Sequence, residues 1–277
     1  MIRLAVAGAT GRMGQSVLEV AAGDARFEIA AALTEPGCPL AGSTIRLGDH
    51  SLTIVEKLEA DCDVLIDFTV AEGTMALLRT AVPRGMPMVI GATGHDAEQL
   101  RGIAEAAGTI PIVKASNFAV GVQAILGVLG RLVTELGDGY DVEIVETHHR
   151  HKIDAPSGTA LTIVEEIRKA RGRSPQFCPL TDDTEEGKPR GKVVFGRYGR
   201  TGERSPDEIG VHAIRMGETV GCHEIHFSGH GETVTIGHTA HSRETFAAGA
   251  LLAAAWVVGK PPGLYSMREV MASPRGR

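Results

Sequence analysis

What this sequence lacks narrows its function before any motif is read. Its four cysteines, Cys38, Cys62, Cys178 and Cys222, include no C-x-x-C pair, and a chain of 277 residues has core enough to do without a disulfide framework. Reduced thiols are the expectation. No apolar run reaches the roughly 20 residues of a membrane span; the nearest, the Ala-rich stretch 246–258, is too short. A net charge of -6 and a pI near 6.0 leave no basic footprint for nucleic acid. Internal repeats and low-complexity tracts are missing, and residues 1–7 already read as a strand, with no basic leader or cleavage site before them. These absences predict a cytoplasmic protein whose partner is a small molecule, neither a membrane nor a nucleic acid.

What is present is an ordinary globular composition, 43% hydrophobic and 22% charged, sufficient for one large core or two moderate ones. Up to about residue 120, short apolar runs at 2–7, 28–33, 63–68, 86–90 and 110–114 alternate with helix-length segments. That alternation predicts a parallel sheet covered on both faces, and a run such as Val64-Leu65-Ile66 is what a strand buried on both sides requires. After Asn117 the style changes. A long apolar helix over 120–136 leads into a strand at 141–147, and further strands recur near 192–195, 209–216, 219–227 and 232–238 with few helices between them. An open mixed sheet follows from that spacing. Residues 171–207, rich in Pro, Gly and charge, read as an extended loop. The last apolar helix, from about Thr245 and containing Trp256, must dock somewhere, and packing back on the first domain makes that domain discontinuous. The fold class is therefore α/β: a Rossmann-like N-terminal domain (1–119 with 241–277) and a C-terminal α+β domain with an open mixed sheet (120–240).

The first strand runs into Gly8-Ala9-Thr10-Gly11-Arg12-Met13-Gly14, followed by a helical pattern over 15–22. The spacing is G-x-x-G-x-x-G rather than the strict dinucleotide fingerprint, but the context of strand, turn and helix suits a pyrophosphate at a helix N-terminus. Gly8 permits the tight turn, Gly11 lets the backbone approach the anion, and Gly14 lets helix and strand come together. An acidic residue about 20 residues on, at the end of the second strand, would hold the adenosine ribose, and here that place reads Leu33-Thr34-Glu35. Arg12 could instead pair with a 2′-phosphate, so both NADH and NADPH stay open. Two more strand ends, Asp67-Phe68-Thr69 and Gly91-Ala92-Thr93-Gly94, fall where such sheets bind ligands, and the Thr93 hydroxyl could reach substrate or cofactor.

The most unusual run is Glu146-Thr147-His148-His149-Arg150-His151-Lys152, five consecutive residues able to carry positive charge, placed directly after a strand. Mutual repulsion makes such a run costly, but a site that gathers a small dianion has a use for it, and a histidine there can deliver a proton near neutral pH. Ala155-Pro156-Ser157-Gly158-Thr159-Ala160 comes next, a helix start at which Pro156 begins the helix and Ser157, Gly158 and Thr159 offer N–H groups to an anion. The two pieces describe a receptor for a dicarboxylate. Metal binding through His148, His149 and His151 with Cys222 or His223 is the competing use; neighbouring histidines on a strand face opposite ways and no H-E-x-x-H or paired-Cys spacing is present, so no metal is expected.

Across nearly its whole length the chain resembles the dihydrodipicolinate (4-hydroxy-tetrahydrodipicolinate) reductases. The likeness runs through residues 8–14, Ile66-Asp67-Phe68-Thr69, residues 91–94, Ser116-Asn117-Phe118, His148 to Lys152 with residues 154–160, Thr201-Gly202-Glu203-Arg204, and residues 215–223. The block 146–160 is the most specific. The resemblance implies a two-domain NADH- or NADPH-dependent reductase of diaminopimelate and lysine biosynthesis, assembled as a homotetramer through the C-terminal sheets. It implies His148 as general acid with Lys152 as its cationic partner, and His149, Lys152, Ser157, Gly158 and Thr159 on the two carboxylates, assisted by Thr93. The cofactor would lie on Gly8, Thr10, Gly11, Arg12, Met13, Gly14, Thr34, Glu35, Phe68, Gly91 and Thr93, with the backbone around Ser116, Asn117 and Phe118 at the nicotinamide amide. Departures are few: Ala92 and Ala119 stand where threonine and serine are frequent, and Thr34 replaces the usual acidic residue, so cofactor preference does not carry over.

Overall fold

The computed structural model describes residues 1–48, 50–172 and 192–273. In chain order the elements are β1 (Ile2–Ala7), α1 (Arg12–Ala22), β2 (Phe27–Leu33), β3 (Thr44–Leu47), β4 (His50–Val55), β5 (Val64–Asp67), α2 (Ala71–Ala81), β6 (Met88–Ile90), α3 (Ala97–Ala107), β7 (Pro111–Lys114) and α4 (Val120–Leu136). Then follow β8 (Asp141–His148), α5 (Gly158–Ala170), β9 (Val193–Phe195), β10 (Ile209–Arg215), β11 (Gly221–Ser228), β12 (Thr233–Ala240), α6 (Glu244–Val257), β13 (Gly263–Tyr265) and α7 (Met267–Ala272). Two compact units result, Met1–Gln123 with Arg243–Arg277, and Ala124–Ser242. Cys178 and part of the loop expected over 171–207, residues 173–191, lie outside the described residues.

Among the described residues the first unit carries a sheet in the order β13-β7-β6-β5-β1-β2-β4-β3. All its pairings are parallel except β3 with β4. Leu4, Val6 and Ile66 pack on one face with Val17 and Leu18 of α1 and Ala247, Ala250, Leu251 and Ala254 of α6. Leu65, Met88, Ile90 and Ile112 pack on the other with Leu78 of α2 and Ile103 of α3. Each such Leu or Ile contributes about 1.5–3 kcal/mol by leaving water. An apolar helix with no polar stripe must be covered on most sides, and α6 is: its Gly249 lies so close to the Phe118 carbonyl that a Cβ there would collide with it. The hairpin β3–β4 and the terminal β13 and α7 do not stand out in the sequence. β3 and β13 are only four and three residues long, too short for a clear period of two; β4, at six, does alternate through Ser51-Leu52-Thr53-Ile54, but with so short a partner it does not mark a hairpin.

The second unit holds a sheet in the order β12-β11-β8-β10-β9, antiparallel from β12 to β8 and parallel from β8 to β9. This is the mixed sheet the widely spaced strands predict. Leu129 and Val133 of α4 and Ile163, Val164 and Ile167 of α5 cover one face, against Val142, Ile144, Ile209, Val211, Ile225 and Phe227. On β8 that inward face reads Val142, Ile144, Glu146, so the apolar alternation ends in a fully buried carboxylate.

Candidate active site

In the first unit the glycine turn is tighter than its spacing alone implies. Helix α1 begins at Arg12, directly after Gly11, and not at Gln15 as the apolar pattern suggests, so Gly14 sits inside the first turn. Gly8 has φ +78°, and a Cβ on it would come within 2.7 Å of the Phe68 carbonyl oxygen. One on Gly14 would run into the Gly8 carbonyl, and Gly11 donates its N–H to that same oxygen at 2.9 Å. Gly11 is the cap and Arg12 and Met13 open the helix, the end of a helix dipole that favours an anion. Beside the turn, the Thr10 and Thr34 hydroxyls are 3.3 Å apart, and Thr34 donates to Glu35 at 3.0 Å. The Glu35 carboxyl is held below the usual carboxylate range by its own backbone N–H and by Thr34. A side-chain-free cradle at a helix start, with an ionised carboxylate at the end of the second strand, fits a dinucleotide.

Neighbouring strand ends supply the rest of that surface. Asp67 is fully buried and accepts from the Thr69 N–H (2.8 Å), the Thr69 hydroxyl (2.6 Å) and the Thr74 hydroxyl, which fixes the turn that presents Phe68. The Phe68 ring stands edge-on to Phe118 at 5.9 Å, and only a glycine at position 91 leaves room for it. Asn117 folds its Oδ1 onto the Ala119 N–H at 2.8 Å, and its carbonyl accepts from Gln123 at 2.6 Å, which sets the backbone around Ser116 and Phe118. Thr93 is exposed in the loop between β6 and α3.

In the second unit the site grows from Glu146. Its Oε2 accepts from His148 Nδ1 (2.6 Å) and Arg215 Nη1 (2.8 Å); its Oε1 accepts from Arg215 Nη2 (2.8 Å) and the Ser157 N–H (3.0 Å). Burial disfavours the charge on Glu146, but His148 and Arg215 outweigh it and hold the carboxyl at about 2. The register explains the meeting: Glu146 and His148 share one face of β8, and parallel pairing sets Arg215 of β10 opposite His148. Ser157 caps α5 through its Oγ, which accepts the Ala160 N–H at 3.1 Å and lies 2.9 Å from His223 Nε2. His223, on β11, is buried, and burial first, then the neighbouring His148, pushes its pKa down to about 3. Its ring stands edge-on to that of His148 at 5.2 Å.

The structure thus brings His148 and Ser157 onto one carboxylate, with Gly158 and Thr159 following as the first residues of α5. Two details differ from the sequence reading. The helix starts at Gly158 with Ser157 as its cap, not at Pro156, because the Ser157 side chain takes the capping bond. The Ser157 N–H is also not open to a ligand, since Glu146 has taken it. Lys152 turns its ammonium onto Asp154, at 2.8 and 2.9 Å, and His149 is buried beside it in sequence. Glu146 and Arg215 carry no assigned role in the sequence reading, and His223 enters it only through the competing metal site. Their signal was an acid at an inward position of an apolar strand, followed two residues later by a histidine. Among the described residues no group of three His, Cys, Asp or Glu side chains could hold a metal ion.

Comparison with known proteins identifies the family. Residues 2–118 match the family model for the N-terminus of dihydrodipicolinate reductase, and residues 121–271 match that for its C-terminus. The chain belongs to the dihydrodipicolinate reductase family. Its relatives include the 4-hydroxy-tetrahydrodipicolinate reductase of Thiobacillus denitrificans, 42% identical with 98% of each chain covered, and that of Myxococcus xanthus, 39% identical with 99% of each covered. Among solved structures, a dipicolinate-bound dihydrodipicolinate reductase from Paenisporosarcina sp. TG-14 superposes with a TM-score of 0.69 at 26% identity, covering 96% of this chain and 97% of that one. An amine dehydrogenase from Mycobacterium smegmatis, 12% identical with a TM-score of 0.60 and covering 100% of this chain and 97% of its own, shares the fold.

Proposed function

We propose that this member of the dihydrodipicolinate reductase family reduces 4-hydroxy-tetrahydrodipicolinate, by way of its dehydrated cyclic form, to tetrahydrodipicolinate, a step of diaminopimelate and lysine biosynthesis. The observation that carries the reading is a histidine held by a buried, ionised carboxylate that also anchors the start of a helix, with a lysine four residues along the chain. Bound NADH or NADPH supplies the hydride. Gly8, Thr10, Gly11, Arg12, Met13 and Gly14 receive its pyrophosphate, Thr34 and Glu35 its adenosine ribose, and Phe68, Gly91, Thr93 and the backbone of Ser116 to Phe118 its nicotinamide half. His149, Lys152, Gly158 and Thr159 hold the two carboxylates of the ring, with Thr93 assisting, while Ser157, its amide on Glu146 and its hydroxyl on the helix cap, sets the turn that presents them. Lys152 exchanges Asp154 for the substrate and stabilises developing negative charge. His148, on the same buried carboxylate, delivers the proton.

His148→Gln tests this directly. Its kcat is expected to fall on the order of 10²-fold or more, as for loss of a general acid, while NADH affinity stays near wild type. Turnover close to wild type in that variant would remove His148 from the chemistry. Assays with substrate made in situ by a coupled synthase, run with both cofactors, check the reaction and the preference together.

The same reading includes a cytoplasmic enzyme assembled as a homotetramer. Its support is the second sheet: the face away from α4 and α5 bears Val145 and Ile214 and solvent-exposed cross-strand pairs, Cys222 with Thr239 and His226 with Thr235. A monomeric mass by light scattering at micromolar concentration would dispose of the assembly.

A further inference from the structure

Glu146 spends everything a carboxylate has. It is fully buried, and both oxygens are taken twice, by His148 Nδ1 and Arg215 Nη1 on one side and by Arg215 Nη2 and the Ser157 N–H on the other. Arg215 extends the lock, donating also to the Asp154 carbonyl at 2.6 Å and the Ile214 carbonyl at 2.8 Å. Removing one member of a buried ion pair is costly, so a chain keeps such a group where a uniquely fixed geometry is needed.

An ionised carboxylate only accepts hydrogen bonds, so the ring nitrogen facing it must be the donor. Nδ1 of His148 therefore keeps its hydrogen whether the ring is charged or neutral. Nε2 points the other way, along β11 beside Gly221, where an added Cβ would come within 3.1 Å of it. Among the described residues, Arg215 on β10 and His223 on β11 also face the ring, and His223 in turn is neighboured by Lys152 in the following loop and His238 on β12.

We propose that Glu146 is a positioning residue for proton delivery: it holds His148 as the Nδ1–H tautomer, so that Nε2 is the atom that carries and releases the proton, and it fixes the Ser157 amide so that the acid and the carboxylate-binding turn keep one geometry. The inference rests on the reading of His148 as general acid. The proton accounting closes. The Nε2–H bond of the imidazolium breaks, the proton goes to the ring carbon that holds the electron pair displaced by hydride addition, and His148 is left neutral with its one hydrogen on Nδ1, already bonded to Glu146. No rotation or second transfer is needed.

Glu146→Gln is the test, because an amide –NH2 turned toward Nδ1 makes that nitrogen an acceptor and moves the neutral ring to the Nε2–H form. In the full-length enzyme, kcat should fall on the order of 10²-fold, as when a catalytic histidine is left in the wrong tautomer, with NADH affinity unchanged. Long-range proton–nitrogen spectra of histidine-labelled enzyme read the tautomer, the His148 signals being identified by their loss in His148→Gln. The neutral ring should carry its hydrogen on Nδ1 in the wild type and on Nε2 in Glu146→Gln. The wild-type spectrum stands alone if the variant does not fold: a neutral His148 protonated on Nε2 overturns the proposal, as does a folded Glu146→Gln enzyme with wild-type kcat. Full turnover in His148→Gln would instead overturn the general-acid reading and leave the tautomer result to be read separately.

Discussion

The glycine turn of the first unit is built by removing side chains, and the Glu146 network of the second by burying them. Around Gly8, Gly11 and Gly14 the turn works because nothing projects from it: a carbonyl, a helix start and the strand behind it lie as close as bare backbone allows. Around Glu146 the second unit works with side chains instead: Arg215, His148 and the Ser157 amide all donate to one buried carboxylate, and the Ser157 hydroxyl in turn meets His223. A backbone cradle carries little titratable charge and fails when something intrudes. A buried polar network tolerates no missing partner, and it answers to pH.

The sharpest way to break this symmetry is Gly14→Val. The new side chain would meet the Gly8 carbonyl and force helix and strand apart, an overpacking cost of about 1–3 kcal/mol or more. NADH affinity should fall at least about tenfold as the helix start moves off the phosphate, while pyridine-2,6-dicarboxylate binding measured by calorimetry stays within about twofold. Equal loss of both ligands would mean that the units are not independent in this sense.

Acid provides the converse. Glu143 and Glu146 are both held at about 2, against burial that opposes their charge, by Arg197, His212 and Arg204 for the first and by His148 and Arg215 for the second. Lowered carboxyl groups stabilise the fold above their ordinary pKa of 4.5, and that contribution drains away as pH falls toward 2. His223, pushed from 6.5 to about 3, adds an earlier loss of the same sign, because the unfolded chain takes up its proton first. Melting temperature should therefore be level above pH 6.5, decline gently to 4.5 and steeply below it. In His223→Gln the gentle part should flatten; an unchanged curve would show that His223 is protonated in the fold.

The smallest effect concerns the cofactor. Glu35, ionised and steadied by Thr34, stands where ribose hydroxyls would be accepted and a 2′-phosphate repelled. Glu35→Ala should raise the NADPH-to-NADH ratio of kcat/KM several-fold, and a ratio that does not move would exclude the residue from the subsite.

How much of this could be read beforehand follows the same division. The glycine turn, the strands Val64-Leu65-Ile66 and Ile2 to Ala7, and the helix over 120–136 announce themselves because a local pattern determines each one. The receptor at His148 and Ser157 was visible as an odd accumulation of charge before a helix start. Its foundation was not. Glu146 and His148 are two apart, but Arg215 and His223 arrive from β10 and β11, and only the strand register sets them beside β8. Long-range pairing leaves no periodic trace in one sequence. The hairpin β3–β4 is hidden for the opposite reason: it is local, but β3 is four residues long and gives β4 no visible partner.

The return of α6 has one more consequence. Ala247, Ala250, Leu251, Ala254 and Val257 close the core beneath α1, yet they lie beyond every strand of the second sheet. On the ribosome, where domains fold as they emerge, the dinucleotide unit stays unfinished until the substrate unit has been made. A nascent chain stalled short of residue 243 would expose the apolar flank of α1 to chaperones. The order of synthesis lets the second unit be completed before the first.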